Sequence, residues 1–152
     1  MRSSPIILEF SSELAVPPPE VWRWMTSVQG ITAEMMPIMK MTVPKHIRDI
    51  SQTDVQPGQR LFRSYIFLFG FLPFDYSDLT LTEINPGVGF VEESPMGSMK
   101  RWRHERTLEA IPIGTRLTDR LTFEPRLARG LTRWFVRRFF EHRHKVLRTR
   151  LG

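Results

Sequence analysis

The sequence contains no cysteine and no long hydrophobic run. Without cysteine, a disulfide framework, a thiol nucleophile and a thiolate metal site are all excluded. No apolar stretch approaches the roughly 18 residues that a membrane-spanning helix needs. The N-terminal segment, MRSSPIILEF, has too short an apolar run for a signal peptide. We therefore expect a cytoplasmic protein.

Motifs for common catalytic and cofactor sites are also missing. The sequence has no GxSxG nucleophile motif, no HExxH metal motif and no GxGxxG or Walker pattern. His46 falls in a predicted loop and His104 in a predicted strand, while His142 and His144 point roughly 200° apart on a predicted helix. We therefore predict no metal site and no cofactor. His104 is the one candidate for a catalytic acid or base.

The net charge of +6 comes from one segment near the C-terminus. Residues 126–150 hold nine basic residues and one acid, Glu141, whereas the rest of the chain has 13 basic and 15 acidic residues. One basic helix with a solvated face explains this excess, so we expect no nucleic-acid binding. Trp134 beside the arginines leaves contact with a membrane surface open. Both a monomer and a homodimer are compatible with the sequence.

The 152 residues are 41% hydrophobic and 25% charged, which is typical of one globular domain, here residues 1–152. Apolar periodicity and turn residues predict the elements. The predicted strands are Ile6–Leu14, Met39–Val43, Gln59–Phe69, Phe74–Ile84, Val88–Glu93, Met99–Ala110 and Thr115–Glu124. The predicted helices run from Pro17–Glu20 to near Gly30, from about Thr32 to Met36 before Pro37, and over Leu127–Leu151, and Lys45–Gly58 is a predicted loop. The last helix has a predicted apolar stripe of Leu131, Phe135, Phe139, His142 and Val146.

This order of elements predicts an α+β architecture. A curved antiparallel β-sheet wraps around the long C-terminal α-helix, and two short helices follow the first strand. Because so long a sheet must curl, the helix across its concave face leaves room for an internal cavity.

Ionisable residues fall on the apolar face of the last predicted hairpin. With a period of two, His104 and Arg106 share a face with Trp102, and Asp119 lies on the inward face of the next strand. Closing the hairpin over residues 111–114 places Arg106 opposite Asp119, and a two-residue slip would place His104 there instead. Either register puts a polar cluster inside an apolar shell. It could be a buried ion pair that fixes the register or the polar anchor of a ligand, and Arg143 could add a bidentate bond to Asp119.

Five short stretches resemble the START/Bet v 1-like superfamily, also labelled SRPBCC or polyketide cyclase/dehydrase. They are PPPEVW at 17–22, GFLPF at 70–74, the Trp102-x-His104 pair, GTRLTD at 114–119 and Arg143-His144-x-x-Leu147. The resemblance covers nearly the full length and implies the helix-grip fold, with a hydrophobic small molecule held between the curved sheet and the C-terminal helix. Some members of the superfamily are cyclases, dehydratases or hydrolases, and others only bind or carry a ligand. They share no universal catalytic residue, so none is transferred to this chain.

We therefore expect a binding or carrier protein for a hydrophobic, partly polar small molecule. Two alternatives remain open: a cyclase or dehydratase acting on an aromatic or polyketide-like substrate, and a lipid-handling protein at a membrane surface. The residues predicted to line the ligand site are Trp102, His104, Arg106, Asp119, Phe139, Tyr76, Phe90, Met36 and His142.

Overall fold

The architecture is a seven-stranded antiparallel sheet with three helices, as seen in a computed structural model that describes residues 4–152. The strands are β1 (Ile6–Leu14), β2 (Met39–Met41), β3 (Arg60–Leu68), β4 (Leu72–Asn85), β5 (Gly89–Glu93), β6 (Met99–Ile111) and β7 (Gly114–Pro125). The helices are α1 (Pro18–Thr26), α2 (Val28–Met35) and α3 (Arg129–Leu151). The predicted α+β helix-grip fold is confirmed.

The strands follow the order β1-β7-β6-β5-β4-β3-β2 across the sheet. The sheet curls, and α3 lies against its concave face. One core cluster joins β1, β6 and β7 to the middle of α3, and a second joins α1 and the end of α3 to β4, β5 and β6. Within residues 4–152 no helix is long and apolar enough to cross a membrane.

The register of the β6–β7 hairpin is the first of the two predicted alternatives. Arg106 lies opposite Asp119, whereas His104 lies opposite Leu121. Ile111 pairs with Gly114, so a two-residue turn closes the hairpin. Arg106 and Asp119 therefore face the interior, as predicted, and both are fully buried.

The boundary between the two short helices was predicted wrongly. α1 ends at Thr26 rather than near Gly30, and α2 begins at Val28. Ser27 causes the break, because its hydroxyl accepts a hydrogen bond from the backbone N–H of Gly30 at 3.0 Å and so caps α2. Gly30 does not end a helix but permits close packing, since a Cβ atom there would lie 2.1 Å from the carbonyl oxygen of Trp24.

The buried face of α3 also differs from the predicted stripe. The side chains that face the sheet are Val136, Phe139, Phe140, Arg143, His144 and Leu147. Leu131 is 66% exposed and His142 lies at the edge of the buried face. Apolar periodicity could not locate this face, because two of its members are charged or polar and are buried through partners on other elements.

Candidate functional site

A cavity of about 550 Å³ lies between the sheet and α3. Its wall is mostly apolar and includes Met35, Met39, Met41, Ile66, Leu68, Phe74, Met96, Met99, Trp102, Leu131, Phe135, Val136, Phe139 and Phe140. The few polar groups on the wall include Asp75, Ser77, Glu92, His104 and Arg143. The last three belong to a network of buried charges behind the cavity.

Arg106 is the centre of this network. Its guanidinium donates to both carboxylate oxygens of Asp119, with Nε–Oδ1 at 2.7 Å and Nη2–Oδ2 at 2.9 Å. It also donates to Glu34, with Nη2–Oε1 at 2.8 Å and Nη1–Oε2 at 3.2 Å. All three side chains are fully buried. One arginine on β6 thus connects β7 to α2 through two bidentate pairs.

Arg143 joins the network from α3. Its Nε donates to Oε1 of Glu34 at 3.1 Å, and its guanidinium lies 5.0 Å from the ring centre of Phe140. The predicted bidentate bond from Arg143 to Asp119 is not the pairing observed, because Arg106 occupies that position and Arg143 turns to Glu34. The indole N–H of Trp24 donates to the other oxygen of Glu34 at 2.9 Å. The carboxylate of Glu34 is therefore fully surrounded by donors.

Two histidines complete the coordination of Asp119. Nε2 of His104 lies 2.6 Å from Oδ1, and Nε2 of His144 lies 2.8 Å from Oδ2. Both rings donate, because the ionised carboxylate can only accept. Nδ1 of His144 bonds the hydroxyl of Ser12 at 2.7 Å, and Nδ1 of His104 faces Oε1 of Glu92 at 3.6 Å.

The pKa values of the buried acids follow from these contacts. Burial alone would raise the pKa of Asp119, but the charges of Arg106 and His104 outweigh burial and hold that pKa well below its usual range. Burial likewise opposes ionisation of Glu34, and the pKa of this carboxyl is nevertheless lowered by Arg106 and Arg143. Both acids are therefore ionised at neutral pH.

The pKa of His104 shifts in the opposite direction, upward. Burial disfavours its charged form, yet the carboxylates of Asp119 and Glu92 raise the pKa of the imidazole above its ordinary value. Burial would raise the pKa of Glu92, but the contacts with His104, Ser94 and Trp102 together outweigh burial and lower that pKa. With His104 protonated, three cations (Arg106, Arg143 and His104) balance three carboxylates (Glu34, Glu92 and Asp119).

This geometry makes His104 a hydrogen-bond donor rather than a base. Both ring nitrogens face carboxylates. When the ring is protonated, each nitrogen carries a proton and can donate but not accept. The network can hold the wall of the cavity rigid and present polar groups to a ligand.

Three of the predicted lining residues lie on the wall of the main cavity, namely Trp102, His104 and Phe139. Arg106 and Asp119 lie directly behind His104 and do not reach that wall. Through Asp119 they support His104, a residue that does line the cavity.

Four other predicted lining residues lie outside the main cavity. Phe90 lines a smaller space of about 80 Å³ on the other side of His104. The ring of Tyr76 packs under the guanidinium of Arg63, 4.6 Å away. His142 bonds the backbone carbonyl of Met36 through Nε2 at 2.7 Å, so both residues lie at the contact between α3 and the end of α2.

Sequence reasoning missed Glu34, Glu92, Ser12 and the role of His144. Glu34 is the only charged residue in α2, which was a usable sign of burial. With a period of two, Glu92 shares the inward face of β5 with Phe90, and Ser12 shares that of β1 with Leu14. The same alternation of side chains that placed Asp119 on the inward face of β7 would have placed both of these residues on inward faces.

Replacing Arg106 by methionine should destabilise the protein strongly. Arg106→Met leaves Glu34 and Asp119 buried with fewer partners, and loss of one partner of a buried pair costs about 3–5 kcal/mol. Urea denaturation measures the change in the free energy of unfolding. The matched control is Arg116→Met, because Arg116 also pairs with two acids, Glu13 and Glu109, but at the surface. Equal effects of the two substitutions would contradict the central role of Arg106.

Stability should depend on pH in two separate ranges. The lowered pKa values of Asp119 and Glu34 contribute stability that is present above about pH 4 and is lost as the pH falls further. The raised pKa of His104 contributes stability that is present below about pH 6.5 and is lost as the pH rises through that raised value. Urea denaturation across this range should show both losses. His104→Gln should remove the alkaline loss and keep the acid loss, and an unchanged alkaline slope would count against the assignment.

Comparisons with known proteins agree with the fold. Residues 12–151 match the family described as Domain of unknown function (DUF8410). No curated protein sequence matches the chain. Among solved structures, a protein from Chromobacterium violaceum has a TM-score of 0.69 at 14% identity, over 94% of this chain and 98% of that chain. The Zhui aromatase/cyclase from Streptomyces sp. R1128 has a TM-score of 0.69 at 13% identity, over 94% and 91%.

The structure named Ara h 8.0201 has a TM-score of 0.59 at 13% identity, over 94% of this chain and 97% of that chain. At these identities the likeness shows the fold, which is the START/Bet v 1-like fold that the sequence motifs predicted. Since the match to the family extends over residues 12–151, the chain belongs to the DUF8410 family and has the START/Bet v 1-like helix-grip fold.

Proposed function

We propose that the protein binds a hydrophobic small molecule with a polar group in the cavity between the sheet and α3, as a binding or carrier protein. The observation that carries this proposal is the cavity itself. Its volume of about 550 Å³ falls within the range of about 300–1,000 Å³ that is usual for small-molecule sites. The wall is apolar, with a few polar groups at defined positions, which is the usual composition of such sites.

The methionines of the wall support a binding role. Five of the eight methionines in the sequence line the cavity, namely Met35, Met39, Met41, Met96 and Met99. Methionine side chains are unbranched and polarisable, so they can adapt to ligands of different shape. Burying apolar ligand surface against them contributes about 25 cal/mol per Å².

An enzymatic role has less support. One structural neighbour is named an aromatase/cyclase, and this chain shares its fold over 94% of its length. Acid–base catalysis on a similar substrate would need a group that can exchange a proton within the cavity. His104 lines the cavity, but Asp119 and Glu92 engage both its nitrogens. The geometry therefore favours binding over turnover.

Binding in this cavity should be visible at the methionine methyl groups. We expect that titration with 2-methylnaphthalene shifts the ¹³C-methyl NMR signals of the five methionines that line the cavity, because an aromatic ring changes the field around each methyl group. Met36 provides the internal control, since its side chain lies outside the main cavity. Single Met→Leu variants assign the signals. Saturable shifts at the cavity methionines are the expected result.

A negative result of this titration would contradict binding of the probe in the cavity. An absence of saturable shifts at the cavity methionines, or shifts confined to Met36, would show that the cavity does not take an aromatic apolar molecule. Native mass spectrometry of freshly purified protein then addresses the natural ligand. A bound small molecule of matching size is expected, and it should be recovered chemically unchanged after incubation with the protein.

A second candidate function is suggested by the surface around the mouth of the cavity. Large apolar side chains are exposed on the β3–β4 hairpin, just before α3 and in its first turns, namely Phe69, Phe71, Leu72, Phe74, Leu127, Leu131 and Trp134. Four of them, Phe74, Leu127, Leu131 and Trp134, also line the cavity. Phe74 and Phe135 connect the two groups, with ring centres 6.5 Å apart. The same part of α3 carries Arg129, Arg133, Arg137 and Arg138. Exposed apolar residues beside arginines suit the surface of a membrane with anionic lipids.

This candidate predicts binding to vesicles of phosphatidylcholine and phosphatidylserine, but not to phosphatidylcholine alone. Trp134→Ser should weaken binding about tenfold, because it removes one large apolar side chain from the membrane interface. Ile113→Ser is the matched control, since Ile113 is 61% exposed but lies in the β6–β7 turn, away from the residues that line the cavity. Vesicle flotation measures both. Equal losses, or no binding to anionic vesicles, would rule out membrane contact by this surface.

A further inference from the structure

Ser77 places an unsatisfied polar group on the wall of the cavity. The residue lies on the inward face of β4, is only 2% exposed and lines the main cavity. In residues 4–152 its hydroxyl oxygen has no hydrogen-bond partner, and no other buried side-chain atom of that part of the chain shares this condition. Buried hydroxyls in proteins are almost always paired, so Ser77 calls for an explanation.

The polar residues around Ser77 are already paired with others. Ser64 lies opposite Ser77 on β3, but its hydroxyl donates to the carbonyl oxygen of Thr42 at 2.8 Å. Asp75 shares the inward face of β4, and its carboxylate accepts from the backbone N–H groups of Tyr76 and Ser98 and from the Ser98 hydroxyl. Neither Ser64 nor Asp75 therefore forms a hydrogen bond with the hydroxyl of Ser77.

The charge network does not provide the missing partner either. On β4 the residue that pairs with Glu92 is Leu81, four positions beyond Ser77. At about 3.3 Å per residue, the two positions are roughly 13 Å apart along the strand. Ser77 is therefore a second polar point in the cavity, separate from Glu92 and His104.

We propose that Ser77 determines ligand specificity by forming a hydrogen bond with a neutral oxygen of the ligand, such as a hydroxyl, a phenol or a carbonyl. This inference rests on the proposed binding function and adds the chemical class of the ligand. A serine hydroxyl can donate and accept, so it fits each of these groups. An anionic group would lie close to Asp75 and be repelled, and the carboxylate of Asp75 already has its own donors.

A matched pair of probes tests this inference. 2-Naphthol and 2-methylnaphthalene have the same ring system and differ in a hydroxyl against a methyl group. We expect Ser77→Ala to lower the affinity for 2-naphthol about 3- to 10-fold, the usual net effect of one hydrogen bond, and to leave the affinity for 2-methylnaphthalene unchanged. Ser77→Thr keeps the hydroxyl and should keep the wild-type preference. Titrations followed at the cavity methionine methyl groups give both dissociation constants.

Ser64→Ala is the control for removing a buried hydroxyl next to the site, and it should leave the ratio of the two affinities at the wild-type value. Thermal denaturation verifies that each variant is folded. If Ser77→Ala does not fold, Ser77→Thr still tests the inference, because it keeps the hydroxyl and must keep the wild-type ratio of the affinities for 2-naphthol and 2-methylnaphthalene. An equal ratio in wild type and Ser77→Ala would overturn the role of Ser77 and leave the proposed binding function intact. If neither probe binds to the wild-type protein, the cavity takes neither an apolar nor a hydroxylated aromatic molecule. That result would contradict the proposed binding function for this class of ligand, and not only the role of Ser77.

Discussion

The carboxylate of Asp119 is the constraint on which the rest of the structure depends. It accepts two hydrogen bonds from Arg106 and one each from His104 and His144. These donors come from β6 and α3, and Arg106 extends the contact to Glu34 on α2. A buried carboxylate without these partners would be very unfavourable, so the helices and the two strands must meet at one point. The network thus connects α2 and α3 to the β6–β7 hairpin.

The position of this ionic contact explains why the protein has a cavity. α3 is held to the sheet through Arg143 and His144, in its second half. Its first half carries Leu131 and Trp134, which are 66% and 56% exposed and border the cavity. The ionic contacts therefore hold the second half of the helix, while the cavity lies beside its first half. A core built from apolar contacts alone would gain by closing this space, because cavities in protein interiors are destabilising.

The alternation of side chains along the sequence was sufficient to predict the strands and the β6–β7 register. It was not sufficient to predict the network of buried charges. The alternation of residues in β6 and β7 predicted that Arg106 faces Asp119, because register and parity follow from adjacent strands. The partner of Arg106 on α2, Glu34, is 72 residues away in sequence, and its contact depends on how the sheet curls. For the same reason the buried face of α3 was misassigned, since Arg143 and His144 are buried only because distant partners receive them. The unpaired hydroxyl of Ser77 could not be predicted, because it depends on the bonds that its neighbours make.

The ionic network and most of the cavity wall differ in how they tolerate substitution. Changing Arg106 or Glu34 alone leaves an unbalanced charge in the interior, so these positions must change together or not at all. The methionines of the wall belong to no such set, and exchanges that conserve volume there are tolerated in protein cores. The shape of the cavity can therefore change one wall residue at a time, while the ionic contacts between the helices and the sheet stay in place.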